Sequence, residues 1–516
     1  MFFVSWIFYL CLHSIITPHE QYVLTDCIIK LTLPVALMIL LSEKIISKDL
    51  IENVLLFIAY INLAYIILQV GGIWEPESSY FTVTGVSDNP NITAIFLTGC
   101  LPLQIRKIQK YDILSFSAFI IMILGIIILK CRTAYIGLLI ILTVLLLHKV
   151  KLNKHFLIQN RKHIAIVGTF IILCAMIIAA CLYQMKKDSA DGRLLIWKLS
   201  AEMINQRPQG YGYGLFEKEY NLYQANYFLS NGGTYSERNH ADHVIAAYND
   251  FLEHGVQGGG IGMIFLAIFY IMAISLSWNQ KRMEIFAAFF SFAIMSLTNF
   301  ISTSILPWLL ILCYSSLLEY EKKYVGNFRN NIYIHKLMSL ILFGILTISS
   351  YHTIQLTWTQ MMLTKYYKKV KTGGFVEEST LMTLFPKIGS SEGYWMVCAR
   401  NYANSKQYNK AIKCVENALQ YTSSSSHFYK YYQLCKMSGN EDQGIHAIVT
   451  NYGMLPHHIT PKFILMQYYD RKGMKYLSVR LAKEIMDTNT KVTNKKSKNI
   501  KFKAAKYLKQ YECNKI

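Results

Sequence analysis

The feature that most constrains this chain is a succession of long apolar runs that fills its first two thirds and then stops. A helix crossing the hydrocarbon core of a bilayer needs roughly 20 mostly apolar residues, with about 17 tolerated. Runs of Ile, Leu, Phe and Val that meet or approach this length lie near 2–17, 23–41, 50–70, 92–105, 113–130, 132–148, 164–183, 252–276, 284–300, 303–318 and 332–352. Lipid offers no partner to a backbone amide, so such runs are helices. The sequence is 53% hydrophobic and 16% charged, against about 25% charged for an ordinary soluble domain. The expected fold is therefore all-α, a polytopic helical membrane protein of about eleven spans followed by a soluble helical domain. Residues 1–352 form the membrane domain with a large loop at 184–251, 353–389 a linker, and 390–516 the helical tail. The opening segment lacks a basic n-region and a small-residue cleavage site, and reads as a first span.

Charge sets the orientation. The net charge is +21 with 52 Lys and Arg, a bias that in a soluble chain would point to nucleic acid. Here many basic residues sit in short loops between apolar runs, where Lys and Arg favour the cytoplasm, so nucleic acid is not expected as a partner. Lys44 and Lys48; Arg106, Lys107 and Lys110; Lys149, Lys151, Lys154, Arg161 and Lys162; Lys281 and Arg282; and Lys322, Lys323 and Arg329 all fall on one side. The opposite loops are 18–22, 71–91, 131, 184–251 and 301–302, and an odd span count places the tail on that outer side too. The 11 cysteines follow no metal-like spacing; seven lie in or beside apolar runs and read as small buried hydrophobes.

From about residue 390 the pattern changes to short amphipathic helices in pairs. Tyr402, Ala403, Tyr408, Ala411, Ile412, Ala418 and Leu419 recur at helical spacing, which calls for a neighbour to stack on. Gly439 and Gly473 each close a helix before another begins, and their numbers differ by 34. The pattern resembles tetratricopeptide repeats, whose period is about 34, with an incomplete signature; an unrelated helical array is the alternative. Either one presents surface to a protein partner.

Polar groups at span ends carry the functional information, because lipid makes them expensive. Four clusters stand out: Gly85-Val86-Ser87-Asp88-Asn89-Pro90-Asn91, Cys131-Arg132-Thr133-Ala134, Asp191-Gly192-Arg193 with Trp197, and Tyr248-Asn249-Asp250 followed by Gly255, Gly258, Gly259, Gly260 and Gly262. All four fall on the outer side, which suggests one outward-facing cavity. Asn89 taken alone reads as a turn and helix cap, and the glycine run as an aid to close helix packing. Arg132 breaks the positive-inside pattern in a turn too short to reach far into water, and a bound anion explains it. Two outward guanidinium groups hold phosphate oxygens bidentately and offset charge on a leaving pyrophosphate.

These residues resemble the O-antigen ligase and polymerase superfamily, membrane glycosyltransferases that use polyprenyl-diphosphate-linked glycans. The resemblance covers roughly residues 1–352 and rests on the Cys131-Arg132-Thr133-Ala134 turn, the Gly192-Arg193 to Trp197 segment, and a motif where the chain returns to the membrane. In the last, Tyr248-Asn249 is followed after nine residues by Gly259 and then Gly262. The family has His where this chain has Tyr248, and that His is held to take the proton of the acceptor hydroxyl. A tyrosine of pKa about 10 is a poor base near neutrality. His243, Asp242 and His240 are the substitutes at hand. On a continuous helix His243 would point about 140° away from Tyr248, so a bend is needed to superpose them.

What the resemblance implies is transfer of a glycan from an undecaprenyl-diphosphate-type donor to an acceptor hydroxyl, at the outer face of the bacterial cytoplasmic membrane, with no metal, nucleotide or other cofactor. Arg132 and Arg193 would hold the diphosphate, Asn249 and Asn89 would position sugar or acceptor, and His243 would be the base, with Asp242 as its rival and Tyr248 as a sugar-binding ring. The acceptor is a lipid A-core sugar of lipopolysaccharide, a growing glycan, or a protein hydroxyl. From a different class, a transporter or a non-catalytic scaffold of envelope polysaccharide assembly competes. Against the transporter, the spans are expected to lack buried acidic residues.

Overall fold

The computed structural model describes residues 2–513 apart from 19–20, 43–44, 77, 79, 109–112, 150–186, 231, 319–331 and 489–493. Among the described residues all regular structure is helical. In chain order the helices are α1 (Phe2–Ile16), α2 (Gln21–Ser42), α3 (Lys48–Val70), α4 (Pro90–Ile108), α5 (Ile113–Ile128), α6 (Arg132–Lys149), α7 (Lys187–Gln206), α8 (Phe216–Leu229), α9 (Tyr235–His240), α10 (Asp250–Asn279), α11 (Met283–Ser296) and α12 (Ile305–Leu317). There follow α13 (Ile332–Lys371), α14 (Glu378–Met382), α15 (Phe385–Ile388), α16 (Glu392–Asn404), α17 (Tyr408–Ala418), α18 (Ser425–Met437), α19 (Glu441–Met454), α20 (Ile459–Arg471), α21 (Lys475–Asp487) and α22 (Lys495–Cys513). Helices occupy every expected span position except 164–183, which lies outside the described residues. Among the described residues, α3 and α10 are long and apolar enough to cross a membrane, where eleven spans are expected; α1, α5, α6, α11 and α12 are apolar but shorter.

The chain divides into two compact units, one of Met1–Ile16, Leu24–Lys187 and Ala246–Ser349, the other of Thr17–Val23, Asp188–Ile245 and Ser350–Ile516. In the first, α4 is buried along its length, from Thr93 to Gln104, as befits a helix that is apolar all round. Glycines let its neighbours approach. A Cβ on Gly99 would fall 2.2 Å from the Phe292 ring, one on Gly125 2.6 Å from Leu63, and one on Gly137 2.6 Å from Met295. The Tyr314 hydroxyl donates to the Gly99 carbonyl at 2.6 Å. Outward, Ile261, Ile264, Ile268 and Ile271 are exposed at helical spacing on α10, as are Val54, Phe57 and Ile61 on α3. Water penalises such contiguous apolar surface and lipid does not.

At one end of this unit, where α3 begins, α4 ends and α10 turns into α11, four charges interlock. Glu52, buried at 4% exposure, accepts from Arg106 and lies 3.5 Å from the Arg282 guanidinium; Arg282 also donates to Glu284 at 2.7 Å, which is 3.6 Å from Arg106. Asp49, beside Lys48, is 3.9 Å from Arg106. Residues of three of the basic loops expected on one side therefore meet. The loops with Lys151 to Lys162 and with Lys322 to Arg329 lie outside the described residues.

The buried acids correct the expectation that the spans lack them: Glu52 lies in α3, and Asp250 and Glu253 in α10. A second correction concerns the glycine run. Gly259 has φ 65° and ψ −171° inside α10, a conformation open in practice to glycine alone. It kinks the helix and turns out the Gly258 carbonyl, which accepts from the Tyr9 hydroxyl.

In the second unit three helix hairpins, α16/α17, α18/α19 and α20/α21, begin at Glu392, Ser425 and Ile459, that is 33 and then 34 residues apart by subtraction. The stretch expected as a linker, 353–389, holds the end of α13 with α14 and α15, and its Leu356, Val370, Val376, Leu381 and Ile388 join the core of the first hairpin. Asn401 on α16 bonds both the amide and the carbonyl of Val376 at 2.8 Å. The large loop belongs here as well: Ala225 on α8 is buried with Phe428, Ala447, Met454 and Leu455 of the array. Gly453 permits the contact, since a Cβ there would come 2.8 Å from the Ala225 carbonyl.

Removing the Glu52 charge takes the buried acceptor from two guanidinium groups and leaves them Glu284 and Asp49, and a hydrogen bond to a charged group contributes about 1.5–3 kcal/mol. Glu52→Gln is expected to lower the thermal midpoint of the detergent-solubilised protein; an unchanged midpoint would show that the lock contributes nothing.

Candidate functional site

Three segments of the first unit converge at the end of α11 remote from the Glu52 lock: the turn 129–133, the stretch 246–254, and the turn 297–304. A helix of 14 residues such as α11 spans about 21 Å, so lock and site lie at opposite ends. Lys130 has φ 50° and Tyr248 φ 51°. Left-handed backbone at a bulky residue is strained, and such strain gathers at functional sites. Here it flanks two of the sequence motifs.

Arg132 is the first residue of α6, half-buried behind the buried Cys131. It stands at the start of a helix, where the helix dipole favours an anion. The next residue, Thr133, has its hydroxyl 3.5 Å from that of Thr298. Across the turn, Tyr248 packs edge-on against Phe300 with centroids 5.4 Å apart.

Asp250 organises the site. It is fully buried, and its carboxylate accepts from the Ile301 amide at 3.0 Å, the Ser302 amide at 3.1 Å and the Ser302 hydroxyl at 2.8 Å. That hydroxyl spends its proton on Asp250, so its 3.2 Å contact with His254 Nε2 makes the imidazole the donor and leaves the lone pair on Nδ1. Glu253 accepts from the Ala247 amide at 3.0 Å and from Gln257 at 3.3 Å. Asp250 stands in the fourth polar cluster of the sequence without an assigned role, and Glu253, His254, Thr298 and Ser302 stand in none. Three ionisable groups at 250, 253 and 254, on one face at the head of an apolar run, are the signal that could have found them.

Both asparagines are helix caps. The Asn249 side chain accepts from Phe251 and Leu252 at 3.0 and 3.1 Å, and Asn89 from Asn91 at 2.9 Å. Their amide oxygens are thereby used by the fold, and any role in holding sugar falls to the NH2 groups. The 85–91 cluster is likewise tied down locally, with the Thr84 and Gly85 amides donating to Gln69 at 2.9 Å and Val86 to Asn62 at 3.2 Å.

The remaining residues fall in the second unit. Arg193 lies in the first turns of α7, where neighbouring Gly192 passes the His240 carbonyl. His240 at the end of α9 bonds the Ser236 carbonyl at 2.8 Å. Between α9 and α10 the chain is not helical, so the helical angle between His243 and Tyr248 does not apply. His243 Nε2 is 2.6 Å from Glu217, whose carboxylate also accepts from the Ser423 hydroxyl at 2.8 Å and amide at 3.1 Å. Burial would raise the Glu217 carboxyl, yet the His243 and Ser423 hydrogen bonds outweigh it and hold the group below the usual carboxylate range. His243 thus shares with Ser423 the Glu217 carboxylate that ties the loop to the array. Asp242 accepts from the His243 amide at 2.9 Å and stands with His457 and His458 as the one group among the described residues able to hold a metal ion.

Comparison with known families bears on the same stretch. Residues 117–267 match the O-antigen ligase family. The matched stretch holds Arg132, Arg193, Tyr248, Asn249 and Asp250, and it supports a glycan-assembly membrane enzyme of the ligase and polymerase kind. No curated protein and no solved structure matches the chain. The O-antigen ligase match ends at 267, and thus contains the kink at Gly259 but not the turn 297–304 that closes the site.

Backbone strain at Tyr248 separates two truncations. Tyr248→Gly and Tyr248→Ala both lose the contact with Phe300, but only alanine keeps the left-handed penalty of about 1–2 kcal/mol. The glycine variant is expected to unfold at the higher temperature; equal midpoints would mean the position carries no strain.

Proposed function

We propose that the protein is a membrane glycosyltransferase that moves a glycan from an undecaprenyl-diphosphate-type carrier to an acceptor hydroxyl at the outer face of the bacterial cytoplasmic membrane. The observation that carries this reading is the O-antigen ligase match over residues 117–267, with the motif residues in family order inside it. Arg132 would hold the diphosphate at the N-terminal end of α6, and Arg193 would complete the clamp. As oxygen departs from the sugar, the guanidinium groups offset the charge that develops on the leaving pyrophosphate.

His243 remains the proposed base, with Asp242 as its rival. A histidine that donates Nε2–H to a carboxylate keeps its lone pair on Nδ1 and is stabilised once protonated, which is the arrangement that Glu217 gives His243. Tyr248 would bind sugar, and Asn249 and Asn89 would contribute their NH2 groups. The tetratricopeptide-like array would present its surface to a protein partner. A lipid A-core sugar, the growing glycan and a protein hydroxyl remain the acceptors of a ligase, a polymerase and an O-oligosaccharyltransferase respectively.

The buried acids remove one argument against a transporter, but the carboxylates are engaged, Glu52 by arginines and Asp250 and Glu253 by backbone amides. A coupled carrier needs acids that exchange their partners, and the transferase reading is the better supported.

Loss of one preorganised donor at developing charge costs roughly a hundredfold or more in rate. A deletion strain complemented with Arg132→Ala or Arg193→Ala is expected to accumulate lipid-linked glycan that the wild type clears, with each variant present in the membrane at wild-type level. The missing product would name the acceptor. Full clearance by both variants would remove the diphosphate clamp and with it the reading.

A further inference from the structure

We infer that the second unit carries a zinc site built from Asp242, His457 and His458. One carboxylate oxygen and one ring nitrogen from each histidine all lie within 4.8 Å of one another. Tetrahedral zinc binds imidazole nitrogen at about 2.0–2.1 Å and carboxylate oxygen at about 2.0–2.2 Å, which sets donor atoms about 3.3 Å apart. Asp242 and His458 are exposed while His457 is buried. Small rotations of the two exposed side chains toward the fixed one therefore close the remaining distance.

The donors come from two places in the sequence, and the fold registers them before any metal arrives. Asp242 lies in the loop after α9, and the His457–His458 pair in the turn between α19 and α20. A single side chain spans both: Gln224 on α8 donates to the Asp242 carbonyl at 3.1 Å and to the Met454 carbonyl at 2.8 Å. One helical turn earlier, Asn221 bonds the Val244 carbonyl at 2.8 Å and its amide at 3.0 Å. The Asp242 carboxylate is oriented by the His243 amide, and the histidine turn by the His458 amide donating to Leu455 at 2.9 Å. The two rings stand edge-to-face, centroids 4.5 Å apart. Support of this kind around the ligands is what a preorganised metal site requires.

Two imidazoles and one carboxylate suit zinc better than the hard cations, which take all-oxygen shells. Three protein ligands leave a fourth position for water. The chemistry assigned to zinc here is structural: it clasps the loop after α9 to the helical array, a task that needs no substrate. The inference does not rest on the transferase reading, and a zinc-bound Asp242 would leave the role of base to His243.

The test uses the untagged full chain in detergent, stripped with chelator and titrated with zinc chloride alone. Roughly one zinc per chain is expected, together with a rise of several degrees in the thermal midpoint, since a ligand that binds only the folded state stabilises it. Asp242→Asn, which keeps the shape of the side chain, and His458→Ala should each weaken zinc binding at least tenfold and abolish the thermal shift. His446→Ala, at an exposed histidine outside the cluster, should change neither. Absence of stoichiometric zinc from the wild type, or wild-type affinity in Asp242→Asn and His458→Ala, would overturn the site.

Discussion

Everything at the functional end of the first unit depends on how Asp250 disposes of its charge. A carboxylate taken out of water costs several kcal/mol unless hydrogen bonds replace its hydration. Asp250 recovers that cost from the two amides and one hydroxyl of the 301–302 turn. Those donors stand at the far end of α11 and just before α12, so a single anion ties the head of α10 to the turn between the next two helices. The same ties fix Ser302, which holds His254, and place Phe300 against Tyr248. Of the contacts that hold the turn at 301–302 in register with the 246–254 stretch, those to this anion are the most numerous.

The opposite end again buries a carboxylate, here met by guanidinium groups in place of amides. Glu52 is buried, and Arg106 and Arg282 reach it from two other helix ends. Between the two charge clusters the contacts of α4, α6, α11 and α12 are apolar and close, with glycines where the approach is tightest. A bundle pinned by charge at both ends and packed by shape in between has little freedom to slide. The kink at Gly259 is where α10 departs from this pattern, and it lies between the site and the outward-facing isoleucines. Broken helices at membrane depth are tolerated where the freed groups find partners, and the Tyr9 hydroxyl is such a partner for Gly258.

Much of this was legible in the sequence. Apolar runs placed the helices, since lipid and protein interior both demand that a run of Ile, Leu and Phe satisfy its amides internally. Of the basic loop residues, Arg106 and Arg282 meet on Glu52, with Asp49, the neighbour of Lys48, close by. The cap at Asn89 followed from residue type and position, while the cap at Asn249 did not. What did not follow was long-range pairing. Nothing local to Asp250 says that its partners are 51 and 52 residues away, and an acid at the head of a span looks like a first-turn residue facing water. His243 shows the same limit, because Glu217 and Ser423 are remote in sequence. The stretch 353–389 reads as a linker, but its Leu356, Val370, Val376, Leu381 and Ile388 are buried, and apolar side chains so scattered are too weak a local signal to reveal a core. Gly259 was visible as a glycine and invisible as a kink, since packing and left-handed backbone make the same demand on residue type.

The union of the large loop with the tail has a consequence for topology that does not depend on counting every span. Glu217 and Ser423 share hydrogen bonds, and Ala225 is buried among residues of the tail. In a chain that crosses a membrane, two segments that build one core stand on the same face of it. The chain between them must then cross an even number of times. The expected spans in that interval, 252–276, 284–300, 303–318 and 332–352, number four. An error in the spans before residue 184 would therefore move loop and tail together and never separate them.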